Sequence, residues 1–97
     1  NAPKTGEGPS KEARENGNYD ILFCADLDNG SSMHASVTGD LDPGYGSTSK
    51  MIAESAICLI QDCADLAGGI YTPAASMGSK LISRLEASAG LRFSEEN

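Results

Sequence analysis

The run from Lys50 to Asp65 limits what this chain can fold into more than any other stretch. At 100° per residue its polar side chains Lys50, Glu54, Gln61 and Asp65 fall within roughly 60° of one another, with Asp62 and Ser55 beside them. Nearly all the rest is Met51, Ile52, Ala53, Ala56, Ile57, Cys58, Leu59, Ile60, Cys63 and Ala64. A helix with that pattern is apolar around more than half its girth and needs cover on two sides. A chain of 97 residues has room for one modest core and no deep enclosed site. One cover is therefore expected from the chain's own sheet, and the other from a partner chain or a domain outside this sequence.

The sheet is expected upstream. From Tyr19 to Leu27 the residues Tyr19, Ile21, Phe23, Ala25 and Leu27 alternate with Asp20, Leu22, Cys24 and Asp26. From Met33 to Leu41 the pattern repeats, with Met33, Ala35, Val37, Gly39 and Leu41 against His34, Ser36, Thr38 and Asp40. Strict alternation predicts two half-buried strands, and Asn29-Gly30 between them predicts a hairpin. A loop of Asn29, Gly30 and Ser31 keeps apolar facing apolar by pairing Leu27 with Met33 and Phe23 with Val37. A five-residue loop has the same parity and stays open.

After the Asp42-Pro43-Gly44 turn, Ser47, Thr48 and Ser49 are candidate N-caps for the apolar helix, with Gly44 or Gly46 expected at positive φ. Ile70-Tyr71 reads as a short extended piece. Thr72-Pro73 predicts a second helix start, with Ser76 as a rival cap. Met77, Leu81, Ile82, Leu85 and Ala89 form its apolar stripe, and Gly90 suits the position just past its end. Leu91 to Phe93 reads as a final short strand, with a tail from Ser94. Residues 1–18 read as a flexible leader without helical or strand period, and Asn1-Ala2 as the remnant of a cleaved tag. The order is β-β-α-(β)-α-β. That is the α+β class, a small antiparallel sheet packed against two helices.

Charge and composition exclude several functions. Lys plus Arg is 7 against Asp plus Glu 14, a net charge of −7. That sign repels phosphate backbones and anionic membrane surfaces, so neither nucleic acid nor membrane is expected as a partner. No apolar run is long enough to span a bilayer, and no signal-peptide pattern opens the chain. Cys24, Cys58 and Cys63 are odd in number and lack C-x-x-C spacing. They read as free buried thiols in the cytoplasm, and metal is not expected. At five apart on a helix, Cys58 and Cys63 are not expected to face each other. His34 sits mid-strand without an evident catalytic partner, and Asp40 and Asp42 read as a solvated turn. No catalytic residue is assigned.

The strongest candidate for ligand contact is Gly44, Tyr45, Gly46, Ser47, Thr48 and Ser49, just before Lys50. Glycines leave backbone N–H groups open, hydroxyls add donors, and a helix N-terminus favours negative charge. Capping explains the same residues without a ligand. The spacing is neither a Walker A loop nor G-x-G-x-x-G, and no strand, glycine-rich turn and helix unit for a dinucleotide is present.

Gly39-Asp40-x-Asp42-Pro43-Gly44-Tyr45-Gly46-Ser47-Thr48-Ser49-Lys50-Met51-x-Ala53-Glu54, followed by Gly68-Gly69-Ile70-Tyr71-Thr72-Pro73-Ala74 and Leu81-Ile82-x-Arg84-Leu85, resembles the C-terminal end of saccharopine dehydrogenase-like oxidoreductases. Gly6-x-Gly8-Pro9-Ser10-x-x-x-Arg14-x-x-Gly17 is similar to the same family. The resemblance implies a two-domain parent enzyme whose Rossmann domain binds NAD(P). Residues 19–97 would be part of its second α+β domain, serving substrate binding and subunit contacts. It further implies that the Gly44 to Ser49 loop faces the cofactor–substrate cleft, and that this chain alone is inactive and binds no cofactor. A homo-oligomer, built on the apolar helix, a strand edge or both, is expected. Two other readings are a parent that has lost catalysis, with this piece as an interaction module, and a stand-alone small binding domain.

Overall fold

The computed structural model describes Ala2 and residues 4–96. The first residue of the suspected tag remnant, Pro3 of the leader and the last residue of the tail lie outside the described residues. The elements are α1 (Lys11–Asn16), β1 (Tyr19–Asp26), β2 (Ser32–Gly39), α2 (Gly46–Gln61), α3 (Pro73–Ser88) and β3 (Leu91–Glu96). The expected α+β architecture is present: one 3-stranded antiparallel sheet in the order β1-β2-β3, with two long helices.

The hairpin keeps the expected parity, with the five-residue connection that the sequence left open instead of the three-residue one, and β1 is exposed on both faces rather than half-buried. Ala25 pairs with Met33, Phe23 with Ala35 and Ile21 with Val37, two residues away from the pairing expected for a loop of Asn29 to Ser31. The ladder ends at Asp26 and Ser32, and Leu27 to Ser31 form the connection. Gly30 takes φ +82° there. Its N–H donates to the Leu27 carbonyl at 2.9 Å, and the Leu27 N–H to the Ser31 carbonyl at 2.9 Å. The Asn29 side chain accepts from the Ser31 N–H at 3.0 Å and from its hydroxyl at 2.6 Å. These local bonds move the turn one residue earlier, a choice that face matching could not make because both registers share one parity.

β3 is longer than expected. Ser94, Glu95 and Glu96 do not form a tail but pair with Ser36, Ala35 and His34. Ile70 and Tyr71 join no strand among the described residues, so the bracketed strand is absent from the sheet. The leader is not loop throughout, because α1 occupies Lys11–Asn16. Ser10 caps it by accepting from the Ala13 N–H at 3.1 Å. That capping pattern was readable in the sequence, but α1 is too short to show an apolar period.

α3 is the hub of the core. Toward the sheet, Leu85, Ala89 and Leu91 form a buried cluster with Val37, Met51 and Phe93 against it. Toward α2, Cys58, Cys63 and Met77 form a second cluster. Leu81 packs against both. Pro73 occupies the first turn of α3, and Gly90 ends it at φ +72° with its α-hydrogen against the Asp40 carboxylate. Neither Thr72 nor Ser76 caps α3 by side chain: the Ser76 hydroxyl donates back to the Thr72 and Pro73 carbonyls at 3.0 and 3.2 Å. Gly78 at φ +52° interrupts the helix in its second turn, a conformation that a side chain would resist.

The cover over α2 differs from the sequence reading. α2 packs on α3, and it reaches the sheet side at Met51 and at Ser47, whose hydroxyl meets the Tyr19 phenol. The inward side chains Val37 and Phe93 of the sheet pack on Leu85, Ala89 and Leu91 instead. Ile52, Leu59 and Ile60 remain exposed, at 70%, 45% and 77%. The cysteine readings change as well. Cys24 is exposed on the outer face of β1, while Cys58 and Cys63 are free and buried together. α2 ends at Gln61, and the Cys63 N–H folds back onto the Cys58 carbonyl at 3.1 Å, which brings both cysteines into one cluster.

Candidate functional site

The candidate loop is organised around Asp42. Its carboxylate accepts from the N–H groups of Gly44 at 3.1 Å, Tyr45 at 2.7 Å and Gly46 at 2.9 Å. Its carbonyl accepts from the Ser47 N–H at 2.8 Å. Asp42 therefore satisfies the start of α2 from outside the helix, as an aspartate does in an Asx turn. The donors from Gly46 and Tyr45, then Gly44 and nearby Arg14, hold the Asp42 carboxyl below its ordinary value of 3.8, against partial desolvation.

Two expectations about this loop are corrected. Neither Gly44 nor Gly46 has positive φ. None of Ser47, Thr48 and Ser49 caps α2, because the helix begins at Gly46 and takes all three into its first turns. Thr48 donates to the Pro43 carbonyl at 2.5 Å and Ser49 to the Gly46 carbonyl at 3.0 Å. Ser47 is fully buried, its hydroxyl 2.7 Å from the Tyr19 phenol. The signal that could have identified the true cap was Asp42 itself, placed two to four residues before three free N–H groups.

The leader motif packs on this turn. The Asp42 N–H donates to the Arg14 carbonyl at 3.1 Å, and the Arg14 guanidinium donates to the Pro9 carbonyl at 2.7 Å. A Cβ on Gly17 would lie 2.7 Å from the Asp42 backbone, and one on Gly46 3.2 Å from the Arg14 carbonyl oxygen. The glycines of the two motifs are thus seats for each other's backbone. What the loop still offers outward is the Tyr45 ring, 60% exposed, beside an open groove of about 330 Å³ along Gly8, Pro9, Arg14, Gly46 and Ser49.

Asp42 and Asp40 do not act as a pair. One carboxylate faces the start of α2 and the other faces Gly90. His34 lines an outer groove on the sheet with Asp20, Leu22, Ser36 and Glu96. Among the described residues no group of three or more His, Cys, Asp and Glu side chains could hold a metal ion. Sequence reasoning missed the Arg84 cluster. Arg84 donates to both oxygens of Asp62, to Glu54 at 3.3 Å and to Gln61 at 2.9 Å, while Lys80 donates to the Asp62 carbonyl at 2.7 Å. Asp62 first, then Glu54, raises the Arg84 pKa, and Arg84 in turn lowers that of Asp62. Four of the five guanidinium N–H groups are engaged, and they clamp α3 to α2.

The chain is 41% identical over 87 residues to a Mycobacterium tuberculosis (strain ATCC 25618 / H37Rv) protein named provisionally as a trans-acting enoyl reductase. The match covers 88% of this chain and 21% of that protein. It is 36% identical over 85 residues to the trans-acting enoyl reductases of Mycobacterium bovis (strain BCG / Pasteur 1173P2) and Mycobacterium ulcerans (strain Agy99), covering 86% of the chain and 20% of each. The chain spans about a fifth of the length of these curated relatives. Neither a protein-family model nor a solved structure matches it. The saccharopine dehydrogenase-like assignment is corrected accordingly: the relatives over 86–88% of this chain bear the name of enoyl reductases.

The Asp42 arrangement makes a pH-dependent stability. The folded pKa is lowered, so the contribution is present above 3.8 and is lost as pH falls through the folded value. Asp42→Asn is expected to lower the urea midpoint at pH 7. The gap between wild type and variant should close as pH drops below about 4, followed by circular dichroism. A gap that stays constant from pH 7 to 3 would show that the carboxylate charge does not support α2.

Proposed function

We propose that this chain works as a non-nucleotide-binding part of an enoyl reductase, an NAD(P)H-dependent enzyme that saturates the double bond of an enoyl substrate. The carrying observation is the 41% identity over 87 residues to a protein named as a reductase, of which the match covers 21%. The chemistry of the loop supports the division of labour. Backbone N–H groups at a helix start are the usual cradle for a dinucleotide pyrophosphate. Here the N–H groups of Gly44, Tyr45 and Gly46 already bind the Asp42 carboxylate. An incoming phosphate would have to displace an anion that is part of the chain.

The hydride donor would then be held elsewhere in the enzyme. We place the Gly44 to Ser49 turn at the enzyme's cleft through its outward part, the Tyr45 ring and the groove beside it. No helix of the described residues is long and apolar enough to cross a membrane, and a cytoplasmic location is part of this reading.

The test follows NAD(P)H oxidation at 340 nm with a short enoyl thioester. A reductase that includes this segment within a chain of its relatives' length is expected to turn over. The 97-residue chain is expected to show neither turnover nor NADPH binding by calorimetry. Tyr45→Ala in the long enzyme is expected to lower kcat/KM about tenfold, since one lost contact of 1.4 kcal/mol corresponds to that factor. Micromolar NADPH binding by the 97-residue chain would overturn the division of labour.

A further inference from the structure

The register across the sheet sets three chemically different side chains in one row. Cys24 of β1 is directly opposite His34 of β2, and His34 is directly opposite Glu96 of β3. Val37 and Phe93 point to the core, and side chains alternate along a strand, so this row lies on the outer face. The sequence left His34 without a catalytic partner; the fold sets one on each side of it.

The spacing within the row follows from the turn. The Leu27 N–H donates to the Ser31 carbonyl across the ladder. Alternation then makes Cys24 and His34 a non-hydrogen-bonded pair, the closer kind, with Cα atoms about 4.5 Å apart. The His34 backbone is turned toward β3, which makes His34 and Glu96 a hydrogen-bonded pair about 5.5 Å apart. The Ser36 hydroxyl donates to one Glu96 carboxylate oxygen at 2.7 Å and holds that carboxylate over β2. His34 and Glu96 line an open groove of about 390 Å³ with Asp20, Leu22 and Ser36. Cys24 is exposed.

A thiol, an imidazole and a carboxylate in that order are the parts of an activated nucleophile. The imidazole takes the thiol proton, and the carboxylate steadies the imidazolium. The other two thiols are placed differently. Cys58 and Cys63 are buried, and burial, then the neighbouring Cys63, pushes the Cys58 thiol above its ordinary value of 9.0.

We propose that Cys24 is a site of reversible modification by small-molecule disulfides, with His34 as its base and Glu96 positioning the imidazole. The Cys24 proton passes to the imidazole, and the thiolate attacks one sulfur of the disulfide. A new S–S bond to Cys24 forms as the old one breaks. The leaving thiolate carries off the electron pair and takes the proton from the imidazolium. The disulfide is the oxidant, and a thiol reverses the step. Charge develops on sulfur alone, so no oxyanion donors are needed, which suits an open sheet face. The step uses side chains of this chain only, and its test is separate from the reduction of an enoyl substrate.

The probe is 4,4′-dithiodipyridine, a neutral disulfide that the net charge of −7 does not repel. Release of thiopyridone by the folded 97-residue chain is followed by absorbance. One equivalent is expected in a fast phase that is absent from Cys24→Ser, ahead of the two buried thiols. His34→Ala should slow that phase at least tenfold, the lower end of what a general base contributes being larger still. Added imidazole should restore the rate of His34→Ala, which a merely structural role for His34 would not allow. Glu96→Gln should slow the fast phase about threefold, through a less well held imidazole. Three results would overturn the proposal: a fast phase that survives Cys24→Ser, a wild-type rate in His34→Ala, or a wild-type rate in Glu96→Gln.

Discussion

Leu85→Ala is expected to cost about 2–5 kcal/mol, the range for deleting a buried leucine and leaving part of its cavity. A domain of this size has only about 5–15 kcal/mol in total. Leu85 is 6% exposed and sits between Ala89, Leu91 and the sheet residues Val37 and Phe93. Ala89, beside it in the cluster, is too small to fill the void. Urea unfolding followed by circular dichroism gives the measurement. A loss below 1 kcal/mol would mean that the sheet does not depend on α3.

The second large effect is expected at Gly39. This glycine has ordinary strand backbone and is required for space: a Cβ there would run into the Tyr19 ring opposite it. Gly39→Ala is expected to push that ring aside and pull its phenol from the fully buried Ser47 hydroxyl. Overpacking and the unpaired hydroxyl together should cost about 3 kcal/mol. Tyr19→Phe separates the two causes, losing only the hydrogen bond at about 1–2 kcal/mol. If Gly39→Ala proves no worse than Tyr19→Phe, the steric contact is not the reason for glycine.

The two hairpin strands were legible because their side chains alternate, with Leu22 the one apolar exception on the polar face, whereas the register and the full length of β3 were not. The two helices were legible from their apolar spacing and from Pro73 and Gly90 at the ends of α3. The boundaries of α2 were not. The polar stripe of Lys50, Glu54, Gln61 and Asp65 suggested a helix centred later, yet Asp42 supplies a cap that allows it to begin at Gly46. A cap contributed from outside the helix leaves little trace in the periodicity of the helix. The same aspartate decided the fate of the candidate loop. The sequence displays glycines and hydroxyls that could serve a ligand, but whether they serve one depends on which partner reaches them first in space. The Arg84 clamp was hidden for a similar reason, since its acceptors at positions 54, 61 and 62 lie far along the chain and gain meaning only when α3 folds back.

Two small clusters that share one side chain do not melt separately. Cys58, Cys63 and Met77 on one flank of α3 and Leu85, Ala89 and Leu91 on the other are joined through Leu81. Loosening either cluster frees Leu81 and takes contacts from the other. The free energies of the two halves are therefore coupled, and the chain gains cooperativity that neither cluster is large enough to have alone.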